Sequence, residues 1–226
     1  MIPLINTHTH RRPEAGEWCI RNAWLPTGLH FPETHGYWFS AGVHPWRAHR
    51  YPESQIKKRL PEILALPNCM AAGEMGLDRA NGPDFGLQTR IWELQLNLVS
   101  DFKKPIIVHC VRAYSDFLPY AQKFKTQIFI LHDYSGNPTQ TDSLLKCANV
   151  FFSFGKSLLR NPEIGKRQLI QIPEDRILLE TDTMNISLEA VYDIAAGFKG
   201  VNRPDFSQTL FANACRLFSF AQSSAE

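Results

Sequence analysis

Apolar, β-branched and aromatic residues fall into eight short runs along the chain, at 3–10, 18–23, 37–43, 69–73, 105–110, 127–133, 150–154 and 176–180. Runs of this length, bounded by turn-forming residues, predict β-strands. Between the later runs the period becomes that of a helix. Over 53–66, Ile56, Leu60, Ile63 and Leu64 share one face, with a kink expected at Pro61. Leu87, Ile91, Leu94 and Leu98 recur at i, i+4, i+7 and i+11, the clearest amphipathic stripe in the sequence. Further helices are expected over 114–123, 139–147, 162–170, 188–198 and 206–220. Strands alternating with helices imply a parallel sheet, and eight of them favour closure into a barrel. The first quarter fits less well. About seven residues separate His10 from the second run, and 25–36 is rich in Pro and Gly, so neither gap holds a crossover helix. The expected fold is therefore α/β, a distorted (β/α)8 TIM barrel lacking one or two N-terminal helices, as a single domain over 1–226.

Histidines and carboxylates recur where these runs stop. The first run ends His8-Thr9-His10, and strand alternation puts both imidazoles on one face with Thr7 and Thr9 on the other. Later runs end in Val43-His44-Pro45-Trp46, Gly73-Glu74, Val108-His109, Leu131-His132 and Glu180-Thr181-Asp182. The C-terminal ends of barrel strands all face one mouth, where active sites sit. His8, His10, Glu74, His109, His132 and Asp182 should therefore surround one opening. Singly, each has an ordinary explanation: a hydrogen-bonded structural histidine, or a carboxylate capping a helix. As a set they do not. Four histidines and two carboxylates buried together without a cation would incur desolvation and repulsion with nothing to offset them. Such a donor set suits Zn, Mn, Fe, Ni or Co better than Ca, with Mg less favoured.

Composition narrows the setting. A hydrophobic content of 44% with 20% charged residues is ordinary for a packed globular domain. The formal net charge of +2 argues against a strongly basic nucleic-acid coat while leaving room for a small basic pocket. No signal peptide or membrane-length apolar stretch is visible, and the five scattered cysteines form no C-x-x-C pair. These features point to a cytoplasmic protein with reduced thiols and no membrane association. No obligate protein partner is implied. Trp18, Trp24, Trp38 and Trp46 crowd the helix-poor first quarter, where they read as core filling, although stacking on single-stranded bases is the other use of such residues.

The ordered segments resemble the TatD family of metal-dependent deoxyribonucleases, within the amidohydrolase superfamily. The resemblance rests on His8-Thr9-His10, Gly42-Val43-His44-Pro45-Trp46, Gly73-Glu74-Met75-Gly76-Leu77-Asp78, His109 with Arg112-Ala113, His132-Asp133-Tyr134-Ser135-Gly136 and Glu180-Thr181-Asp182. It implies two divalent metal ions, one held by His8, His10 and Asp182, the other by His109 and His132, with Glu74 bridging. Departures are also present. Asn6 stands where the family usually has Asp, Arg11-Arg12 replaces Leu-Asp, and Thr183-Met184 replaces Ser-Pro. The segments 11–43 and 183–205 are short, which bears on the substrate groove rather than on the ligands.

The implied activity is a 3'-5' exonuclease-type phosphodiesterase acting on single-stranded DNA ends or another phosphodiester or small ester. Metal binding lowers the pKa of water, so a bridging hydroxide is available near neutral pH as nucleophile. Asp182 and Glu74 are the expected catalytic carboxylates, and His44 and Arg112 the expected substrate contacts. Glu180 and Asp78 are expected to orient ligands rather than to ligate. Amide or ester hydrolysis, as by an aminoacyl-tRNA deacylase or a lactonase, is the alternative. The strand-end Glu74, in place of a carboxylated lysine bridge, favours the phosphoesterase branch.

Overall fold

The structure is a computed structural model describing residues 2–14, 16–25 and 37–220. Eight parallel strands pair in sequence order: β1 (Leu4–Thr9), β2 (Glu17–Trp24), β3 (Tyr37–Gly42), β4 (Cys69–Asp78), β5 (Ile106–Val111), β6 (Phe129–Leu131), β7 (Val150–Phe154) and β8 (Ile177–Leu179). The ring closes at its upper edge. Thr9 bridges Asp182, with the His10 amide donating to the Asp182 carbonyl (3.0 Å) and the Asp182 amide to the His8 carbonyl (3.0 Å).

Alternation along these strands decides what lies inside. Ile5, Ile20, Trp38, Ile107, Ile130, Phe151 and Leu178 belong to one buried cluster, sealed by Ala214, Leu217 and Phe218 from the end of the chain. Two residues further along each strand, the same inward face presents Thr7, Asn22, Ser40, His109, His132, Ser153 and Glu180. The barrel therefore changes from an apolar plug to a polar floor within one pleat. The intervening residues, such as Phe39, Val108, Phe129, Phe152 and Leu179, face outward into the cluster shared with the helices. β1 breaks the simple rule: its pairing shifts register between Asn6 and Thr9. Thr7, expected opposite the histidines, instead hydrogen-bonds Ser153 Oγ (3.0 Å) in the interior.

β4 is longer than its apolar run, which stops at 73, so Glu74 lies within the strand rather than at its end. The extension depends on two glycines. Gly73 and Gly76 have φ of +126° and +152°, and a Cβ on Gly76 would sit 2.0 Å from the His109 carbonyl oxygen. Only a residue without Cβ lets β5 approach there, and the register shift between Ala72 and Met75 accompanies it.

The helices are α1 (Glu53–Leu64), α2 (Phe85–Val99), α3 (Tyr114–Lys123), α4 (Pro138–Leu145), α5 (Lys156–Arg160), α6 (Pro162–Gln171), α7 (Leu188–Lys199) and α8 (Arg203–Leu217). As expected, the described residues between β1 and β2 contain no helix. Most of the other short gap, 26–36, lies outside the described residues. α1 buries the face its sequence predicts, Ile56, Leu60, Ile63 and Leu64. α2 does not: Leu87, Leu94 and Leu98 are half-buried flanks, and the buried face is Gln88, Ile91, Trp92, Gln95, Leu96 and Val99. Both glutamines tolerate burial because they bond backbone. Gln95 pairs with the amide (2.7 Å) and carbonyl (3.1 Å) of Val43, and Gln88 with the amide (2.8 Å) and carbonyl (3.0 Å) of Asp78. α2 thus clamps the upper ends of β3 and β4. The five-residue α5 shows no sequence period because it is barely one turn.

Candidate metal centre

All six expected ligands converge at the upper mouth, and Glu74 is their common neighbour. Its Oε1 lies 2.8 Å from His109 Nδ1, 2.9 Å from His132 Nε2 and 3.0 Å from His44 Nε2. Its Oε2 faces the other way, 3.5 Å from His8 Nε2 and 3.7 Å from His10 Nε2. Asp182 Oδ1 completes that second group at 3.7 Å from His8 and 3.4 Å from His10. One carboxylate therefore divides the cluster in two, each oxygen serving one group.

The spacing fits cations. Ligands held about 2.1 Å from a metal are themselves roughly 3 Å or a little more apart. Among the described residues, three sets have donor atoms mutually close enough to share an ion: His8–His10–Asp182, His8–Glu74–His132 and His44–Glu74–His109. Both ring nitrogens of His8 are buried and make no hydrogen bond. A buried imidazole without partners is costly, and a metal ligand is its natural completion.

The outer partners of each ring decide which nitrogen faces inward with a lone pair. His109 Nε2 lies 3.1 Å from Asp78 Oδ2, so the acceptor behind it holds a proton there, and Nδ1 is the nitrogen whose lone pair a cation would take. His132 Nδ1 lies 3.1 Å from Glu180 Oε1, so Nε2 is the nitrogen whose lone pair a cation would take. His44 is the reverse. Its Nδ1 accepts from the Trp46 amide (3.1 Å), so its inward Nε2 carries the proton. That nitrogen is a donor, suited to an anionic oxygen rather than to a metal.

Electrostatics follow the same geometry. Burial lowers the His44 pKa and keeps the ring neutral. Burial also opposes charge on His132, but Glu74 and Glu180 outweigh it and hold the imidazolium well above the ordinary range. His109 is raised for the same reason, through Asp78 and Glu74. Burial works against ionised Glu74, yet the surrounding histidines pull it well below the usual carboxylate value. Asp78, despite burial, is held at about 2 by His109, the Trp46 indole and the amides of Ala80 and Asn81.

Arg112 is brought to the mouth, three residues beyond His109, with a left-handed φ of +53°. It is exposed and makes no side-chain hydrogen bond or ion pair with the described residues. Asn22 was not anticipated. From β2 it donates to Glu74 Oε2 (3.1 Å) and accepts from the Glu74 amide (3.0 Å), orienting the shared carboxylate. Its only sequence signal is a polar residue inside an apolar run. The departure at Asn6 also has a structural reason. Its amide donates to Glu17 (2.6 Å) and to Thr181 Oγ1 (2.8 Å) and accepts from the Thr181 amide (3.0 Å), tying β1 to the segment that carries Asp182. A carboxylate there would face Glu17. Of the four early tryptophans, Trp18 and Trp38 pack together at the apolar plug of the barrel (5.2 Å), as core filling requires. Trp24 and Trp46 instead lie at the mouth, 40% and 47% exposed, because they follow the last inward-facing layer of β2 and β3.

The chain is 34% identical over 151 residues to the human 3'-5' RNA nuclease TATDN2, covering 64% of this chain and 20% of that protein. It is 32% identical over 149 residues to the 3'-5' ssDNA/RNA exonuclease TatD of Edwardsiella piscicida, covering 64% and 57%. The chain thus spans a fifth of the human relative and little more than half of the bacterial one. Among solved structures, YJJV, a TatD homologue from Escherichia coli K12, superimposes with a TM-score of 0.81 at 19% identity over 97% of this chain and 99% of that one. A TatD family hydrolase from Entamoeba histolytica gives 0.68 at 17% identity, over 81% and 75%. These likenesses establish the barrel. The profile described as TatD related DNase matches residues 31–219, and the chain belongs to that family.

Proposed function

We propose that the protein is a divalent-metal-dependent phosphodiesterase that shortens single-stranded nucleic acid from its 3' end. The observation carrying this reading is the division of Glu74 between two groups of donors at the mouth of a TatD-family barrel. His8, His10 and Asp182 would hold one ion, His109 and His132 the other, with Glu74 shared. The imidazole-rich set suits Zn, Mn, Fe, Ni or Co, with Mg a poorer fit. Bound there, such ions supply Lewis acidity, which lowers the pKa of water and neutralises phosphate charge.

The chain's own residues supply the rest. His44 offers a fixed Nε2–H to a non-bridging phosphate oxygen, and its neutral form keeps that donor in place without competing for metal. Arg112, uncommitted at the mouth, contributes a forked cation to the same phosphate. Asp182 receives the proton that the attacking water loses, since its carboxylate is half-buried and reaches solvent. Asp78 and Glu180 hold the protons of His109 and His132 away from the centre, and Asn22 fixes the plane of Glu74.

The direct test is a 5'-labelled single-stranded oligonucleotide incubated with protein refilled separately with Zn, Mn or Mg. A ladder of stepwise-shortened products is expected, abolished by chelation and by His132→Ala. Intact oligonucleotide in the presence of fully bound metal would sink the nuclease reading and turn attention to amide and ester substrates.

A further inference from the structure

Trp24 closes β2 with an indole that is 40% exposed, its ring centroid 5.8 Å from that of His10. The guanidinium carbon of Arg47 lies 3.6 Å from the Trp24 ring centroid. Arg47 makes no ion pair or side-chain hydrogen bond with any other described residue, so its charge faces no carboxylate among them. It is supplied by the 3-10 turn Pro45–Arg50, which begins directly after His44. Trp46 of the same turn is 47% exposed, with its ring 4.9 Å from that of His44. Its indole N–H donates to Asp78 (2.6 Å), which fixes the ring.

Each half of the metal centre therefore has an exposed indole beside it, Trp24 at His10 and Trp46 at His44. Burying such a ring is worth about 2 kcal/mol in a core, so leaving two in water at one mouth calls for a ligand that covers them. An indole carrying a stacked guanidinium presents a flat π-surface and a positive charge together. That combination complements a planar base joined to a phosphate.

We propose that the Trp24–Arg47 stack is a nucleobase subsite, holding a base next to the phosphodiester at the metal centre, with Trp46 as a second aromatic wall. The proposal rests on the phosphodiesterase reading and deepens it, because a stacking subsite selects strands whose bases are unpaired. Trp24 is the residue to test, since Trp46 also supports Asp78.

Binding is measured by anisotropy with a fluorescein-labelled single strand carrying phosphorothioate linkages, so that metal-loaded protein does not consume it. A matched strand lacks bases at its 3'-terminal nucleotides. Trp24→Leu is expected to weaken binding of the normal strand about tenfold, Trp24→Phe distinctly less, and neither to change binding of the abasic strand. On a hydrolysable strand, Trp24→Leu should raise KM with little change in kcat. Unchanged binding in Trp24→Leu, or equal losses on both strands, would overturn the subsite. Metal-dependent cleavage by Trp24→Leu with a parental KM would remove the subsite and leave the nuclease reading standing. Base-dependent binding in a protein that cleaves no strand would do the opposite.

Discussion

On the β5–β6 side of Glu74, each histidine has a buried carboxylate behind it, Asp78 for His109 and Glu180 for His132. On the β1–β8 side, His8 is equally buried but has no hydrogen bond at either nitrogen, and His10 rests beside an exposed indole. The first group is oriented before any ion arrives. The second has no buried carboxylate behind its imidazoles, and its strands are tied through the bridge between Thr9 and Asp182 and the Asn6–Thr181 bracket. Affinity should therefore differ between the halves, the pre-oriented group paying less ordering entropy on binding.

Substitution of the shared carboxylate should erase the difference. Glu74→Gln is expected to lower hydrolysis about a thousandfold and to reduce bound metal in both groups, measured by turnover and by metal analysis after dialysis. If one ion were retained at full occupancy, Glu74 would belong to a single group. The outer carboxylates act on one side only. Asp78→Asn or Glu180→Gln should weaken the tighter of two metal-binding steps by roughly 10- to 100-fold and leave the weaker one unmoved, as read by calorimetric titration. Equal weakening of both steps would contradict the asymmetry.

On the other side, Asn6→Asp loses two donated hydrogen bonds and sets a carboxylate against Glu17. A loss of about 2 kcal/mol in urea unfolding is expected, with the weaker metal step affected first. The smallest effect is the pH dependence of the metal-free protein. His132 is raised above its ordinary 6.5, so its contribution to stability is complete below that value and lost as pH rises through the raised one. Stability measured in chelator should therefore fall above neutral pH while metal affinity rises, because binding displaces that proton. A flat profile, or one unchanged in His132→Ala, would remove His132 as the source.

Much of this molecule is legible in one dimension. The eight strands follow from apolar runs of strand length, and His8, His10, His109, His132 and Asp182 stand where those runs stop, so barrel topology alone brings them to one mouth. Glu74 was legible as a residue but not as a position, since the extension of β4 depends on close approach of β5 to Gly73 and Gly76. The buried face of α2 departs from its apolar stripe for a related reason: periodicity counts apolar side chains, whereas Gln88 and Gln95 are buried by bonds to distant backbone.

The sequence by itself determined the fold class, the donor set and the family, because these depend on local period and on residue chemistry at strand ends. Only the tertiary structure decided how the donors divide about the two oxygens of Glu74 and that a backbone amide lies behind His44 where carboxylates lie behind His109 and His132. It also decided which tryptophans fill the apolar plug and which stand at the mouth. Each of those facts is a relation between side chains far apart in the chain, set by distances of a few ångströms that no pattern along one strand contains.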